Sequence, residues 1–140
     1  MATDTPAPTG IGVLRRDFRT DPFFDGAAAD RLVIRRCADC DLWLAPDATC
    51  CPGCGSEEPG WADAAGDATL VTWTVVHGRP AEDGTVPPPA VLALVELTEG
   101  PWLHTRLVGV ERAALREGLP LTAVFEHPGE GESYLLFRPA

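Results

Sequence analysis

Four cysteines in two Cys-x-x-Cys pairs are the residues whose type and spacing point most directly to chemistry. The first pair is Cys37 and Cys40, and the second is Cys51 and Cys54, with ten residues between the pairs. Paired thiolates at this separation are typical of a site that holds one metal ion, and four thiolates around zinc leave no open coordination position. We therefore predict one structural Zn²⁺ on these four cysteines.

The residues beside the two pairs also fit this interpretation. Gly55 follows the last cysteine, where a left-handed backbone is expected, and Asp41 follows the first pair and tolerates that conformation better than most residues. Iron is the serious rival of zinc, because Cys-Pro-x-Cys-Gly segments also occur in rubredoxins. A disulfide framework is disfavoured, because the N-terminal residues contain no apolar secretion signal. Cys50 does not fit the spacing and is interpreted as a bystander.

Length, composition and charge limit the possible partners. The 140 residues, of which 45% are hydrophobic, suffice for one ordinary domain or two small ones that share a surface. The formal net charge is −10 and the sequence contains no lysine, so its surface repels phosphate backbones and we expect no nucleic-acid partner. No segment approaches the roughly 18 apolar residues of a membrane span, so we expect no membrane association. Reduced, metal-binding cysteines fit the cytoplasm.

The residues before the first pair predict a flexible leader and a short helix. Asp21 is the expected N-cap, and Pro22 takes the first helical position. Phe23, Phe24 and Ala27 then fall on one stripe of the helix. Because so short a helix is not stable alone in water, this stripe packs either on its own domain or on a partner subunit.

Short apolar segments around the cysteine pairs predict a rubredoxin-like zinc ribbon, in which strands alternate with metal-binding turns. Residues 32–34 lead into the first pair, and residues 42–44 lead away from it. A unit of this size has almost no core, so the metal must supply most of its folding energy.

Six of the eleven cationic residues precede or enter this ribbon. The commoner explanation of such a cluster is a solvated face that nearby acids balance. The alternative is a local anion site for a phosphate-bearing ligand or a complementary subunit. The six are Arg15, Arg16, Arg19, Arg31, Arg35 and Arg36.

After Trp61, segments rich in β-branched and aromatic residues predict five strands, with a helical segment at 111–117 after the third. This is the order of an OB-fold, a five-stranded Greek-key barrel; an SH3-like barrel also has five strands but needs no helix there. The second strand is apolar on both faces, so we expect one face to fill the barrel and the other to pack on the ribbon. The strands are predicted at 68–77, 90–97, 102–108, 121–126 and 133–137. The chain is therefore predicted to be mostly β, with a leader, an N-terminal helix segment, a zinc ribbon and an OB-fold barrel at 1–14, 15–30, 31–62 and 63–140.

No catalytic motif stands out in this sequence. It contains no Gly-x-Ser-x-Gly elbow, no phosphate-binding glycine loop, no His-Glu-x-x-His and no dinucleotide fingerprint. Histidines alone on strands are more often hydrogen-bonded structural residues than bases. Tryptophans can form a base-stacking platform in OB-folds, but without a basic groove, core and interface packing is the expected role. We therefore assign no catalytic residue.

Several segments, in this order, resemble a known family. They are Phe-Phe-Asp-Gly, Arg-Leu-Val-Ile-Arg-Arg-Cys-Ala-Asp-Cys, Cys-Pro-Gly-Cys-Gly, Val-Thr-Trp-Thr-Val-Val-His, Val-Leu-Ala-Leu-Val-Glu-Leu and Leu-Phe-Arg-Pro. Over about residues 15–139 the chain resembles the acyl-CoA-associated zinc-ribbon plus OB-fold proteins, long catalogued as a domain of unknown function. By position the four paired cysteines match the metal ligands of that family, and Asp41 stands where the family often has glycine.

The resemblance implies a function that the residues alone do not reveal. Members of the family typically lack an active site and bind as small subunits to thiolase-superfamily enzymes, including acyltransferases, condensing enzymes and steroid side-chain aldolases, or are fused to hydratases. The implied function is a non-catalytic accessory subunit of a thiolase-like or aldolase acyl-CoA enzyme in lipid or steroid metabolism. Such a subunit forms a hetero-oligomer and shares CoA or acyl-CoA with its partner.

Aromatic and arginine residues near the ribbon are the predicted contacts with the partner or with CoA. Aromatic anchors dominate interface energetics, and arginines can meet an acidic rim or the CoA phosphates. The predicted contact residues are Phe23, Phe24, Arg35, Arg36, Trp43 and Trp61. Two other functions remain open at this point: a nucleic-acid-binding OB-fold module and a rubredoxin-like electron carrier.

Overall fold

The described part of the computed structural model is residues 11–140, so most of the predicted leader (1–14) lies outside it. One short helix precedes a three-stranded sheet and a closed five-stranded barrel. The predicted fold class, mostly β with a zinc ribbon and an OB-fold barrel, is confirmed. Within 11–140, no helix is long and apolar enough to cross a membrane.

Helix α1 spans Asp21–Ala28 and continues from a 3₁₀ turn at Phe18–Thr20. The prediction that Asp21 caps the helix is wrong, because Thr20 holds that position and Asp21 is already helical. The capping carboxylate belongs to the preceding turn, where Asp17 accepts a hydrogen bond from the amide of Arg19 at 3.0 Å. The helical backbone is therefore established before the chain reaches Asp21.

The helix docks on its own chain through small residues. Gly26 and Ala27 are buried, and a Cβ at Gly26 would lie 2.4 Å from Cγ2 of Val33 in the first strand. Only glycine permits this close approach. Of the two alternatives for the apolar stripe of this helix, the structure therefore shows the first, packing on its own chain.

The ribbon sheet contains three antiparallel strands in the order β2-β1-β3. They are β1 (Val33–Arg36), β2 (Trp43–Leu44) and β3 (Gly60–Asp63). The sequence predicts the first two but not β3, because its Gly-Trp-Ala-Asp segment shows neither alternation nor β-branched residues. Strand β3 forms because it pairs along the whole of β1.

Five strands form the barrel in the order β4-β5-β6-β8-β7. The predicted strands are all present, with bounds that differ by at most two residues. The predicted helical segment at 111–117 is only a 3₁₀ turn, Arg112–Ala114, because the chain is already extended at Leu115 and no side chain caps the turn. The strands are β4 (Asp67–Val76), β5 (Ala90–Leu97), β6 (Trp102–Leu107), β7 (Pro120–Glu126) and β8 (Tyr134–Pro139).

Ribbon and barrel share one hydrophobic core. Leu32 and Ile34, beside and within β1, belong to the same buried cluster as Val95, Leu121 and Phe137 of the barrel. Ile34 and Phe137 are fully buried. The ribbon therefore draws stability from the barrel as well as from its cysteine site.

Strand β5 contradicts one expectation about its outer face. Ala93, Val95 and Leu97 are buried, as expected for the face that fills the barrel. Leu92, on the opposite face, is 43% exposed, so the ribbon does not cover it. Packing within the chain therefore does not explain why this outer face of β5 is apolar.

A polar link also joins the N-terminal segment to the barrel. The ring of His127, which follows β7, bonds through Nε2 to Asp30 at 2.8 Å and through Nδ1 to Ser133 at 2.7 Å. Asp30 has a left-handed backbone with φ 60° between α1 and β1. His127 thus has the structural role expected for a histidine beside a strand.

Candidate metal centre

The four paired cysteines converge at the end of the ribbon sheet. Their sulfur atoms all lie within 4.8 Å of one another. The Sγ atoms of Cys37 and Cys54 are 3.5 Å apart, and those of Cys40 and Cys51 are also 3.5 Å apart. Each close contact therefore joins one sulfur from each pair, so the two Cys-x-x-Cys turns face each other.

These distances fit a tetrahedral zinc site. Sulfurs about 2.3 Å from a common zinc ion lie about 3.8 Å from one another in a regular tetrahedron. The observed separations are close to that value, and only small shifts would seat an ion. Four thiolates would fill the coordination sphere, so the site has no position for substrate.

The backbone of each turn supports the same geometry. The Asp41 amide donates to the Cys37 carbonyl at 2.8 Å, and the Gly55 amide donates to the Cys51 carbonyl at 2.8 Å. Asp41 and Gly55 both have left-handed backbones, with φ of 63° and 80°. The expectation for these two positions is confirmed, and the departure from glycine at Asp41 leaves the turn intact.

Without metal, the sulfurs compete for protons. Burial raises the pKa of Cys51, but hydrogen bonds from the amides of Cys54 and Gly53 and from neighbouring thiols outweigh it and lower the pKa to about 7. The Ser56 amide lowers the pKa of Cys54, yet its hydrogen bond with Cys37, burial and the other thiols raise it to about 12.

Cys50 lies outside this cluster. It is exposed and unpaired, whereas Cys37 and Cys51 are buried. The four-cysteine group of the described residues does not include it. The interpretation of Cys50 as a bystander therefore agrees with its position.

Two arginine–tryptophan pairs lie on opposite faces of the ribbon sheet. The guanidinium carbon of Arg35 lies 4.0 Å from the ring centroid of Trp61, directly across from it on β3. That of Arg36 lies 4.8 Å from the ring centroid of Trp43, directly across from it on β2. Because adjacent residues of a strand point to opposite faces, the two pairs cannot meet one flat ligand.

Most of the predicted arginine cluster is neutralised within the chain. Arg16, for example, bonds Glu132 and Asp25, and these hydrogen bonds raise its pKa. The commoner explanation, a face that nearby acids balance, therefore holds for five of the six arginines. The ion pairs are Arg15–Glu130, Arg16–Asp21, Arg16–Asp25, Arg16–Glu132, Arg19–Asp17, Arg31–Asp63 and a long Arg36–Asp41 contact.

Arg35 is the exception among the six, because it has no ion pair with any described residue. Its terminal nitrogens donate to the carbonyls of Pro59 at 2.7 Å and Arg19 at 3.5 Å. Its Nε is buried and has no acceptor. Burial lowers the pKa of this guanidinium below its usual value.

The aromatic residues predicted as contacts are half-buried in their own fold. Phe23 and Phe24 pack edge to face with ring centroids 5.1 Å apart, and Arg16 lies over the Phe24 ring. Phe23 and Trp43 also pack against the shared core. The most exposed large apolar side chains of the barrel strands are others, none of them among the predicted contacts: Trp73, Val76, Leu92 and Trp102. The sequence pattern does not distinguish the first three, because apolar residues occur on both faces of β4 and β5.

Two family models match adjacent parts of the chain. The model of the ChsH2 rubredoxin-like zinc ribbon domain matches residues 24–60. The model of the ChsH2 C-terminal OB-fold domain matches residues 61–126. Together they span the last five residues of the helix, the ribbon and most of the barrel.

Individual relatives point in the same direction. A DUF35 domain-containing scaffold protein of Pyrococcus furiosus is 34% identical over 94 residues, which are 67% of this chain and 68% of that protein. A probable enoyl-CoA hydratase alpha subunit of Thermomonospora curvata is 37% identical over 118 residues, which are 84% of this chain. The chain spans only 36% of the length of that hydratase subunit.

Solved structures agree with the fold. A structure of an Ltp2-ChsH2(DUF35) aldolase contains a chain that is 35% identical, with a TM-score of 0.76 over 89% of this chain and 96% of that one. A DUF35 protein of unknown function from Sulfolobus solfataricus is 16% identical, with a TM-score of 0.61 over 88% of this chain and 86% of that one. The second likeness shows the fold alone.

Proposed function

The chain belongs to the DUF35 family of ChsH2-type zinc-ribbon and OB-fold proteins, and on that premise we propose that it is a non-catalytic accessory subunit of an acyl-CoA enzyme. The observation that carries the proposal is the likeness to the ChsH2(DUF35) component of an aldolase, which extends over 96% of that component. The enzyme is expected to be a thiolase-superfamily protein or an aldolase that forms a hetero-oligomer with this chain. The cytoplasm is its proposed location.

The metal has a structural role in this proposal. Cys37, Cys40, Cys51 and Cys54 hold one Zn²⁺, and their sulfurs converge as such a site requires. The ion supplies folding energy to the ribbon and no Lewis-acid chemistry, because four thiolates close its coordination sphere. The ribbon then acts as a rigid support for the residues on its sheet.

Arg35 is the best candidate on this sheet for contact with an anion. Each of its terminal nitrogens donates one N–H to a backbone carbonyl and keeps a second N–H for another acceptor. Trp61 covers one face of the guanidinium and keeps it in place. A CoA phosphate or a carboxylate of the partner would supply the acceptor that the chain lacks.

The other predicted contacts are expected to act around Arg35. Trp61 holds its guanidinium, whereas Arg36 and Trp43 lie on the opposite face and would meet a different part of the partner. Phe23 and Phe24 expose only part of their rings and would contribute at the rim. CoA or acyl-CoA would then lie between this chain and the enzyme, as a ligand that both share.

Activity assays of the chain alone, and of its enzyme partner with and without the chain, test the accessory role. We expect the purified chain to show no acyl-CoA turnover alone, since no catalytic constellation is present among the described residues. Its co-expressed enzyme is expected to lose solubility or activity when the chain is omitted. Turnover by the isolated chain, or an enzyme unaffected by omission, would contradict the proposal.

Replacing Arg35 tests the anion contact within that assembly. Arg35→Gln is expected to weaken binding to the enzyme or to CoA about tenfold or more, because a hydrogen bond to a charged group is lost. Isothermal titration measures the affinity, and Arg31→Gln is the matched control, because Arg31 is an exposed residue already paired with Asp63. Equal affinities of the two variants would rule out the contact.

A further inference from the structure

Strand β4 leaves the barrel halfway along its length. It pairs with β7 only at Asp67–Thr69, and Leu70 completes that edge through the amide of Gly118 and the carbonyl of Leu119. A bulge between Leu70 and Thr72 then interrupts its pairing with β5. Bulges increase twist and re-aim a strand, so this bulge marks the point where β4 departs from β7.

Beyond the bulge, one edge of β4 is open. Thr72–Val76 pair with β5 on one side, and no strand of residues 11–140 pairs with them on the other. The N–H and C=O groups on that side face outward in the direction of a missing strand. Proteins usually protect such an edge with charge, proline or a covering segment.

This edge has none of those protections within its own sequence. Residues 71–76 and 90–95, which form the distal part of the β4–β5 hairpin, contain no charged residue and no proline, although the chain has 32 Asp, Glu and Arg residues. Trp73, Val76 and Leu92 are 36%, 43% and 43% exposed. We call residues 71–76 with 90–95 the hairpin arm.

Both faces of the hairpin arm are uncharged and carry apolar side chains, with Thr72 and Thr74 between them on one face. Trp73 pairs with Ala93, so both lie on the face that continues into the barrel core. Leu92 pairs with Thr74 and therefore lies on the opposite face, together with Val76. An occupant that covers the arm must supply an extended backbone for the edge and apolar side chains for both faces.

We infer that the open edge of β4 at residues 71–76 receives an extended, uncharged strand of the enzyme partner. This inference rests on the proposed function. Backbone hydrogen bonds to an added strand would satisfy the open edge, and alternate apolar side chains would cover Trp73 and Val76. A groove in a larger enzyme can enclose the edge and both faces of the arm.

A second copy of this chain is a poorer occupant. Two copies paired through β4 would cover the edges but leave the Leu92 face of each arm open to water. Each copy also carries a formal net charge of −10, and the electrostatic repulsion between two copies disfavours a dimer. Both arguments favour an enzyme strand that approaches from a different surface.

The test compares two valine substitutions on the complex of the full chain with the acyl-CoA enzyme that co-purifies with it. Val76→Lys places an ammonium beside the open edge, and Val86→Lys is the matched control, because Val86 is 64% exposed in the loop outside the arm. We expect Val76→Lys to weaken the complex about tenfold or more and Val86→Lys to leave it unchanged. Hydrogen exchange is expected to show slower exchange at 71–76 in the complex than in the free chain.

Each other outcome overturns the inference in a recognisable way. Equal affinities of the two variants, with no protection at 71–76, would show that the enzyme binds elsewhere while the proposed function stands. A dimer of the free chain that protects 71–76 and dissociates on Val76→Lys would assign the edge to a second copy. Failure of the wild-type chain to bind any acyl-CoA enzyme would instead overturn the proposed function itself.

Discussion

Replacing Cys54 with serine is expected to release the metal and unfold the ribbon. The remaining three thiolates would repel one another around a poorly held ion, and structural zinc sites in small domains contribute about 10–16 kcal/mol of apparent binding free energy. The zinc content measured by elemental analysis should fall from about one ion per chain to nearly none. Near-ultraviolet circular dichroism should lose the signal of Trp43 and Trp61, which lie in the ribbon.

Cys50→Ser is the control for this experiment, because Cys50 is exposed and outside the sulfur cluster. It should keep both the zinc and the tryptophan signal. The optical spectrum distinguishes the metals, since ferric iron in four thiolates is coloured and zinc is not. A coloured protein would favour the electron carrier, and a fully folded protein in strong chelator would contradict a structural metal.

Ile34→Ala is expected to destabilise the ribbon and the barrel together. Ile34 is 0% exposed and packs in the cluster that contains Leu70, Val95 and Phe137 of the barrel. Truncating a fully buried isoleucine to alanine costs about 2–5 kcal/mol through lost burial and the cavity it leaves. Urea denaturation followed by tryptophan fluorescence should show one transition at a lower midpoint.

Leu92→Ala is the matched control, because the same loss of apolar volume occurs at a side chain that is 43% exposed. The shift of its urea midpoint from that of the unmodified chain should be small, as is typical of surface substitutions. Two separate transitions in the Ile34→Ala protein, with the barrel unchanged, would show that the ribbon folds independently. Such a result would contradict the shared core.

Local spacing explains why much of the fold was predictable from sequence. The two Cys-x-x-Cys pairs specify the turns by themselves, and the left-handed positions at Asp41 and Gly55 follow from the residue types. Strand β4 is long and rich in β-branched residues, so its pattern is unambiguous. Each of these signals lies within a few residues of the element that it predicts.

The remainder depends on contacts that a linear pattern does not contain. Strand β3 forms because β1 offers an edge to pair with, although Gly60 and Asp63 are poor strand residues. Arg35 and Arg36 are adjacent and chemically identical, yet only Arg36 has an acidic neighbour, Asp41. The open edge of β4 results from the divergence of two strands that are about fifty residues apart in sequence.

The exposed side chains illustrate the same limit. Phe23 and Phe24 were expected at the interface because aromatic anchors dominate binding energetics, but both are half-buried beside β1 and the core. The outer face of β5 was expected to pack on the ribbon, yet Leu92 is exposed, and Trp73 of the neighbouring strand β4 is exposed as well. Only the barrel geometry determines which apolar residues the chain cannot cover.

Affinity purification of the tagged chain from cells that express it natively tests the central claim most directly. We expect one acyl-CoA enzyme to co-elute in a fixed ratio, identified by mass spectrometry, together with about one zinc per copy of this chain. The complex should persist through size-exclusion chromatography. Elution as a lone monomer that binds neither an acyl-CoA enzyme nor acyl-CoA would contradict the accessory-subunit function.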